Sequence, residues 1–157
     1  MNIQETVDFQ LRSTLFAMRR MYNLLAAKNG ITQGIGYTLV NIEKEGIPST
    51  KIAPMMGMTA SSLSRLLKKM EDDGLIYKKT DKIDKRVTLI FLTPEGIELR
   101  KKVEEVVLDF NQRLMNKINK KDLVGFVKVN EIIRDQVYED VEAFHKNDGW
   151  RMTDDGW

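Results

Sequence analysis

The segment from Ser49 to Leu67 restricts the fold more than any other part of the chain. It reads as two helices joined through Gly57-Met58, the first from Ser49 to about Met56 and the second capped by Thr59. Helices that cross steeply through so tight a turn make specific demands. The first needs a small residue near the crossing, and Ala53 supplies it. Four positions later the turn needs a residue that tolerates positive φ, and Gly57 supplies that. Ile52, Met56, Met58, Leu63 and Leu66 flank these points with apolar side chains that lock such a pair. Pro54 departs from the pattern, because it lacks a backbone donor; it is expected to distort or shorten the first helix.

The surrounding elements follow from periodicity and punctuation. Val7, Leu11, Leu15, Met18, Tyr22 and Leu25 recur at helical spacing and predict a helix over 5–27, ended by Asn29-Gly30. Thr32 caps a second helix expected to run to about Lys44, with Gly34 and Gly36 predicting an irregular start. After the pair, Gly74 ends the helix. Leu75–Lys79 and Arg86–Leu92 read as two strands of a hairpin around a charged loop. Thr93-Pro94-Glu95 starts another helix, with a capping hydroxyl, proline at the first position and an acid in the first turn. It carries Leu99, Val103, Val106, Phe110 and Leu114, and a last helix carries Leu123 through Phe144. The order lacks βαβ alternation, which argues against a parallel-sheet enzyme fold.

The start of the helix after Thr59 has a chemistry of its own. Thr59, Ser61, Ser62, Ser64 and Arg65 place short hydroxyls and one long cation there, with Lys68 and Lys69 further along. Small hydroxyls permit close approach to phosphate and base edges, and arginine reads guanine through two hydrogen bonds. Such a helix enters a major groove N-terminus first, with Lys68 and Lys69 available to the phosphate backbone. Ser and Thr at a helix start are also plain caps, and the cations are also ordinary solvated charges. The hairpin shifts the balance. It carries Lys78, Lys79, Lys82, Lys85 and Arg86 on a β-loop beside that helix, as suits contact with phosphates or a narrow minor groove. Glu71, Asp72 and Asp73 oppose the helix dipole at the other end and repel phosphate, so that end is expected to lie away from DNA.

On these residues the chain resembles the MarR family of winged helix-turn-helix regulators. Asp84-Lys-Arg86-Val-Thr-Leu-Ile-Phe-Leu92-Thr93 is similar to that family's wing pattern, an Asp-x-Arg pair leading into a strand that ends in Leu-Thr. Ser61-Ser-Leu-Ser-Arg65 through Gly74-Leu-Ile76 is similar to its recognition helix and exit. The resemblance covers about residues 5–145. It implies a mainly α fold with a small β-hairpin wing, as one winged-helix domain over 1–146. The DNA-binding lobe would span about 32–93 and the dimerisation helices about 5–27 and 94–146. Residues 147–157 are read as a flexible acidic tail containing Trp150 and Trp157. It further implies a homodimer that binds double-stranded DNA at a pseudo-palindromic operator, as a ligand-responsive repressor. Arg86 would reach the minor groove while Asp84 holds the wing. A small anionic or aromatic effector is the expected ligand, with Met18 and Tyr22 as guessed contacts. The rival reading is a helical protein-interaction adaptor that uses the winged unit without binding DNA.

Composition removes other classes. There is no cysteine, so disulfides and thiol sensing are out, which suits a reducing cytoplasm. No secretory leader is visible and no apolar run approaches the ~20 residues of a membrane helix, so a cytoplasmic protein without a membrane partner is expected. His145 is the only histidine, no phosphate-binding glycine loop occurs, and the acids form no recognisable acid–base pair. Neither catalysis nor a cofactor or metal is therefore expected. Nine methionines, including Met55, Met56 and Met58, are read as core filler.

Overall fold

The computed structural model describes residues 2–148. Trp150, Trp157 and the rest of the expected tail from Gly149 onward lie outside the described residues. Its helices are α1 (Val7–Ala27), α2 (Gln33–Asn41), α3 (Ser49–Met56), α4 (Ala60–Asp72), α5 (Pro94–Met115) and α6 (Lys120–Asp148). The strands are β1 (Ile47–Pro48), β2 (Ile76–Thr80) and β3 (Thr88–Leu92). A short 3₁₀ turn, Ile3–Glu5, precedes α1. The chain divides into two compact units, Met1–Val106 and Val107–Trp157.

Within the first unit the core joins α2, α3, α4 and the sheet. Ile35, Leu39 and Ile42 meet Ile52, then Leu63, Leu67 and Met70, with Leu75, Ile76 and Ile90 closing the other side. The expected start of α2 is correct: Thr32 is extended and its hydroxyl accepts from the Ile35 amide at 3.3 Å. The helix is regular through Gly34 and Gly36, contrary to expectation, and it ends at Asn41 rather than near Lys44. Gly36 is buried facing Val103 of α5, where an added Cβ would stand 3.5 Å from the valine, an ordinary contact that leaves room for alanine. Ile42 leaves the helix in extended geometry and fills the core, which explains the early stop. Thr38 is the buried polar residue among the described residues; its hydroxyl donates to the Gly34 carbonyl at 2.8 Å, with the Met56 sulfur 3.2 Å away.

The sheet has three strands, not two. Its order is β1-β3-β2, all antiparallel, with Ile47 opposite Ile90 and Pro48 opposite Leu89. Proline in the two-residue β1 is compatible with its edge position, where one face of the backbone needs no partner. Met70 is fully buried, but Met18 and Met55 are exposed and Met56 and Met58 only half-buried, so the methionines are not uniformly core.

In the second unit, α5 ends in a turn and Asn119 caps α6, its side-chain oxygen accepting from the Asp122 amide at 2.9 Å. Helix α6 carries exposed Phe126, Ile132, Tyr138 and Phe144. His145 is exposed near its end.

Candidate nucleic-acid interface

The turn between α3 and α4 is built as the residue types require. Gly57 has φ +58° and ψ +39°, left-handed backbone that an L side chain adopts only with strain. The Met58 amide donates to the Ala53 carbonyl at 3.0 Å, closing the turn onto the small residue. Pro54 lies inside α3, which stays continuous and ends two residues later.

Helix α4 is sharply two-faced. Leu63, Leu67 and Met70 are buried, while Ser61, Ser64, Arg65 and Lys68 are exposed on the opposite stripe. Thr59 caps the helix, its Oγ1 accepting from the Ser62 amide at 3.2 Å. The same hydroxyl lies 3.1 Å from Ser61 Oγ and 3.0 Å from Ser62 Oγ. These three hydroxyls thus form one local network, with Ser62 half-buried inside it. Among the described residues, Ser64 and Arg65 have no side-chain hydrogen bond or ion pair.

The C-terminal end of α4 is internally neutralised. Lys68 pairs with Asp72 at 3.7 Å and Lys69 with Asp73 at 3.0 Å, each one turn apart. Lys78 of β2 reaches Glu71 at 2.7 Å, tying the wing base to the helix. The two lysines expected to serve phosphate thus already have acidic neighbours, a pairing that i, i+4 spacing foretells.

The wing is β2, β3 and the 81–87 loop. The loop is ordered by two carboxylates. Asp81 accepts from the backbone amides of Ile83 and Asp84, both at 2.8 Å. The Asp81 amide donates to the Val87 carbonyl at 2.9 Å, and the Val87 amide to the Asp84 carbonyl at 3.0 Å. Asp84 accepts from the Arg86 amide at 3.0 Å, and the Arg86 guanidinium grips both its oxygens, Nε at 3.1 Å and Nη2 at 3.2 Å. These side-chain and then backbone hydrogen bonds hold the Asp84 carboxyl below the usual aspartate range. Arg86 remains 91% exposed, and Lys82 and Lys85 are exposed and unpartnered among the described residues. At the wing base Tyr77 stacks on Phe91, centroids 5.4 Å apart, with Lys79 Nζ 5.0 Å from the tyrosine ring centre.

Motif reading passed over Asp81, and it saw Glu71 only as a phosphate-repelling acid, not as the partner of Lys78. An Asp two residues before a turn amide is an available signal for the first. The second pairing crosses from helix to strand and has no local signature.

The guessed effector contacts stand on α1. Met18 is exposed; Tyr22 is half-buried, and that burial raises its phenol above the usual range. A shallow hollow of about 480 Å³ on the same helix is lined by Phe16, Arg19, Arg20, Asn23 and Leu24, without either residue.

Comparison with known proteins falls on these same elements. The MarR family model matches residues 39–88, which run from the end of α2 through the turn and α4 to the start of β3. The organic hydroperoxide resistance transcriptional regulator of Bacillus subtilis is 29% identical over 107 residues, covering 68% of this chain and 73% of that protein. The structure of Staphylococcus aureus MepR in complex with DNA superposes with a TM-score of 0.65 at 23% identity, over 88% of this chain and 98% of that one. The transcriptional regulator SlyA superposes with a TM-score of 0.74 at 22% identity, over 87% and 98%. The helix-turn-helix pair, its wing and these likenesses agree: the chain has a winged helix-turn-helix fold, and its segment from the end of α2 to the start of β3 is similar to the MarR family.

Proposed function

We propose that this chain is a sequence-specific DNA-binding transcriptional regulator and not an enzyme. In this reading it works as a cytoplasmic homodimeric repressor on a pseudo-palindromic operator. The observation that carries it is the pairing of an outward Ser61–Ser64–Arg65 stripe on α4 with a wing whose cations Lys82, Lys85 and Arg86 face solvent. Helix α4 reads base edges from its N-terminal end. The wing engages phosphates and the adjoining minor groove, Asp84 holding Arg86 in place. Thr59, Ser61 and Ser62 also present a helix N-terminus to phosphate. Lys68 and Lys69 contribute less, since each has an acidic neighbour.

The DNA-binding lobe is about 32–93, and the helices on either side, 5–27 and 94–146, serve a second copy. Exposed Leu15, Phe16 and Leu24 on α1, and the apolar residues of α6, supply what such a partner covers. A small anionic or aromatic effector favouring the wrong spacing of the two recognition helices lowers operator affinity by its differential binding to the two states.

The test is a mobility-shift titration of the full chain against a palindromic duplex and a scrambled one, at two salt concentrations. Preferential, salt-sensitive binding to the palindrome is expected. Equal or absent binding, with a protein partner retained instead, supports the adaptor reading.

A further inference from the structure

The tip of the wing presents an isoleucine. Ile83 is 96% exposed, beyond the other exposed apolar side chains of the described residues, of which Ile3 reaches 71%. It sits between Lys82 and Lys85, with Arg86 one residue further. This presentation is built. The Asp81 carboxylate receives the Ile83 amide itself, and Asp84 and Val87 close the loop behind it. Both acids of the loop are thereby turned to its own amides and to Arg86, and the surface left outward is cationic around one aliphatic group.

We infer that Ile83 is a specificity-determining residue that reads the minor groove of A·T pairs beneath the wing. This rests on the DNA-binding reading above. The cations are complementary to the phosphates that flank a groove, so they bring the tip to its mouth. An aliphatic side chain in a minor groove gains contact with sugar and base carbons and offers no hydrogen bond. At A·T pairs the groove floor holds acceptors alone, whereas G·C adds the guanine 2-amino group, a protruding donor that an aliphatic group both clashes with and leaves unpaired. Discrimination therefore falls on a single exocyclic amine. Arg86 favours narrow grooves through electrostatics and responds to width; Ile83 responds to the amine itself.

The experiment uses the full chain and a random 40-base-pair duplex library. Sequences enriched by the wild type are expected to carry A·T pairs at fixed positions outside the part read by α4. In the enriched duplex, G·C at those positions should weaken binding about five- to tenfold, in the range of a single mismatched pair. Inosine·C, which lacks the 2-amino group, should restore it. Ile83→Ser should abolish the difference between G·C and inosine·C with an unchanged unfolding midpoint, while Arg86→Ala binds more weakly and keeps the difference. If Ile83→Ser discriminates as the wild type does, or if wild type treats inosine·C as it treats G·C, the inference is overturned and the regulator reading stands. If no duplex is enriched at all, the regulator reading itself falls.

Discussion

Arg86 lies across Asp84 as a two-pronged clamp, Nε to one carboxylate oxygen at 3.1 Å and Nη2 to the other at 3.2 Å, while the arginine itself stays 91% exposed. The acid therefore orients the cation without covering it. In solution such a pair contributes little stability, because both groups are screened by water. Its consequence is geometric: the guanidinium is held on the wing's surface before any DNA arrives.

This arrangement predicts separable mutant effects. Arg86→Ala should weaken duplex binding and reduce the salt slope by about one, as for one lost phosphate-region cation. Asp84→Asn keeps the cation but loosens it, so affinity should fall with the slope nearly unchanged. Titrations at several salt concentrations separate the two, and identical slopes for wild type and Arg86→Ala would remove Arg86 from the interface.

The same pair has a pH signature. The folded pKa of Asp84 is depressed, so the pairing is complete above the unfolded aspartate value of about 3.9 and is lost as pH falls through the lower folded value. Carboxyl-carbon NMR should place the Asp84 midpoint below that of an unpaired aspartate. In Arg86→Ala it should move back upward; an unmoved midpoint would show that the clamp does not persist in solution.

Gly96 is where α5 meets the end of α4. A Cβ on Gly96 would stand 2.0 Å from the Leu75 carbonyl oxygen, a backbone atom that cannot swing aside. Thr93 reinforces the junction, donating to the Gly74 carbonyl at 2.6 Å and accepting from the Gly96 amide at 3.0 Å. Gly96→Ala should cost about 3 kcal/mol by overpacking, and Thr93→Val about 1 kcal/mol through the lost cap. Urea unfolding measures both, and a Gly96→Ala loss under about 0.5 kcal/mol would show that the junction relaxes freely.

Self-association is tested on α6. Phe126 and Ile132 are 60% and 67% exposed. Replacing both with Asp should convert a dimer to a monomer in sedimentation velocity. A wild type that sediments as a monomer at micromolar concentration refutes the homodimer proposal directly.

What could be read in the chain and what could not separate along physical lines. Local chemistry was legible. The caps Thr32, Thr59 and Thr93, the left-handed Gly57 and the bounds of α3 each depend on a few neighbouring residues, and each stands where periodicity and capping rules put it. Strand β1 escaped because two residues including a proline carry no alternation; it exists only because β3 offers an open edge. The end of α2 was misjudged because burial of Ile42 outweighs the helical tendency of the residues after it.

The candidate site divides the same way. Residue types and spacing by themselves determined that a hydroxyl-rich helix start and a basic loop exist, since both follow from composition over a few turns of chain. Only the tertiary structure decided which cations stay available. Lys68 and Lys69 are drawn to Asp72 and Asp73, Lys78 crosses to Glu71, and Arg65, Lys82 and Lys85 keep none of these acidic partners. It also decided that Asp81 turns inward and leaves Ile83 at the tip. The reason is that a charge or an aliphatic group acts through what stands beside it in space, and across a helix, a strand and a loop that neighbour is set by packing.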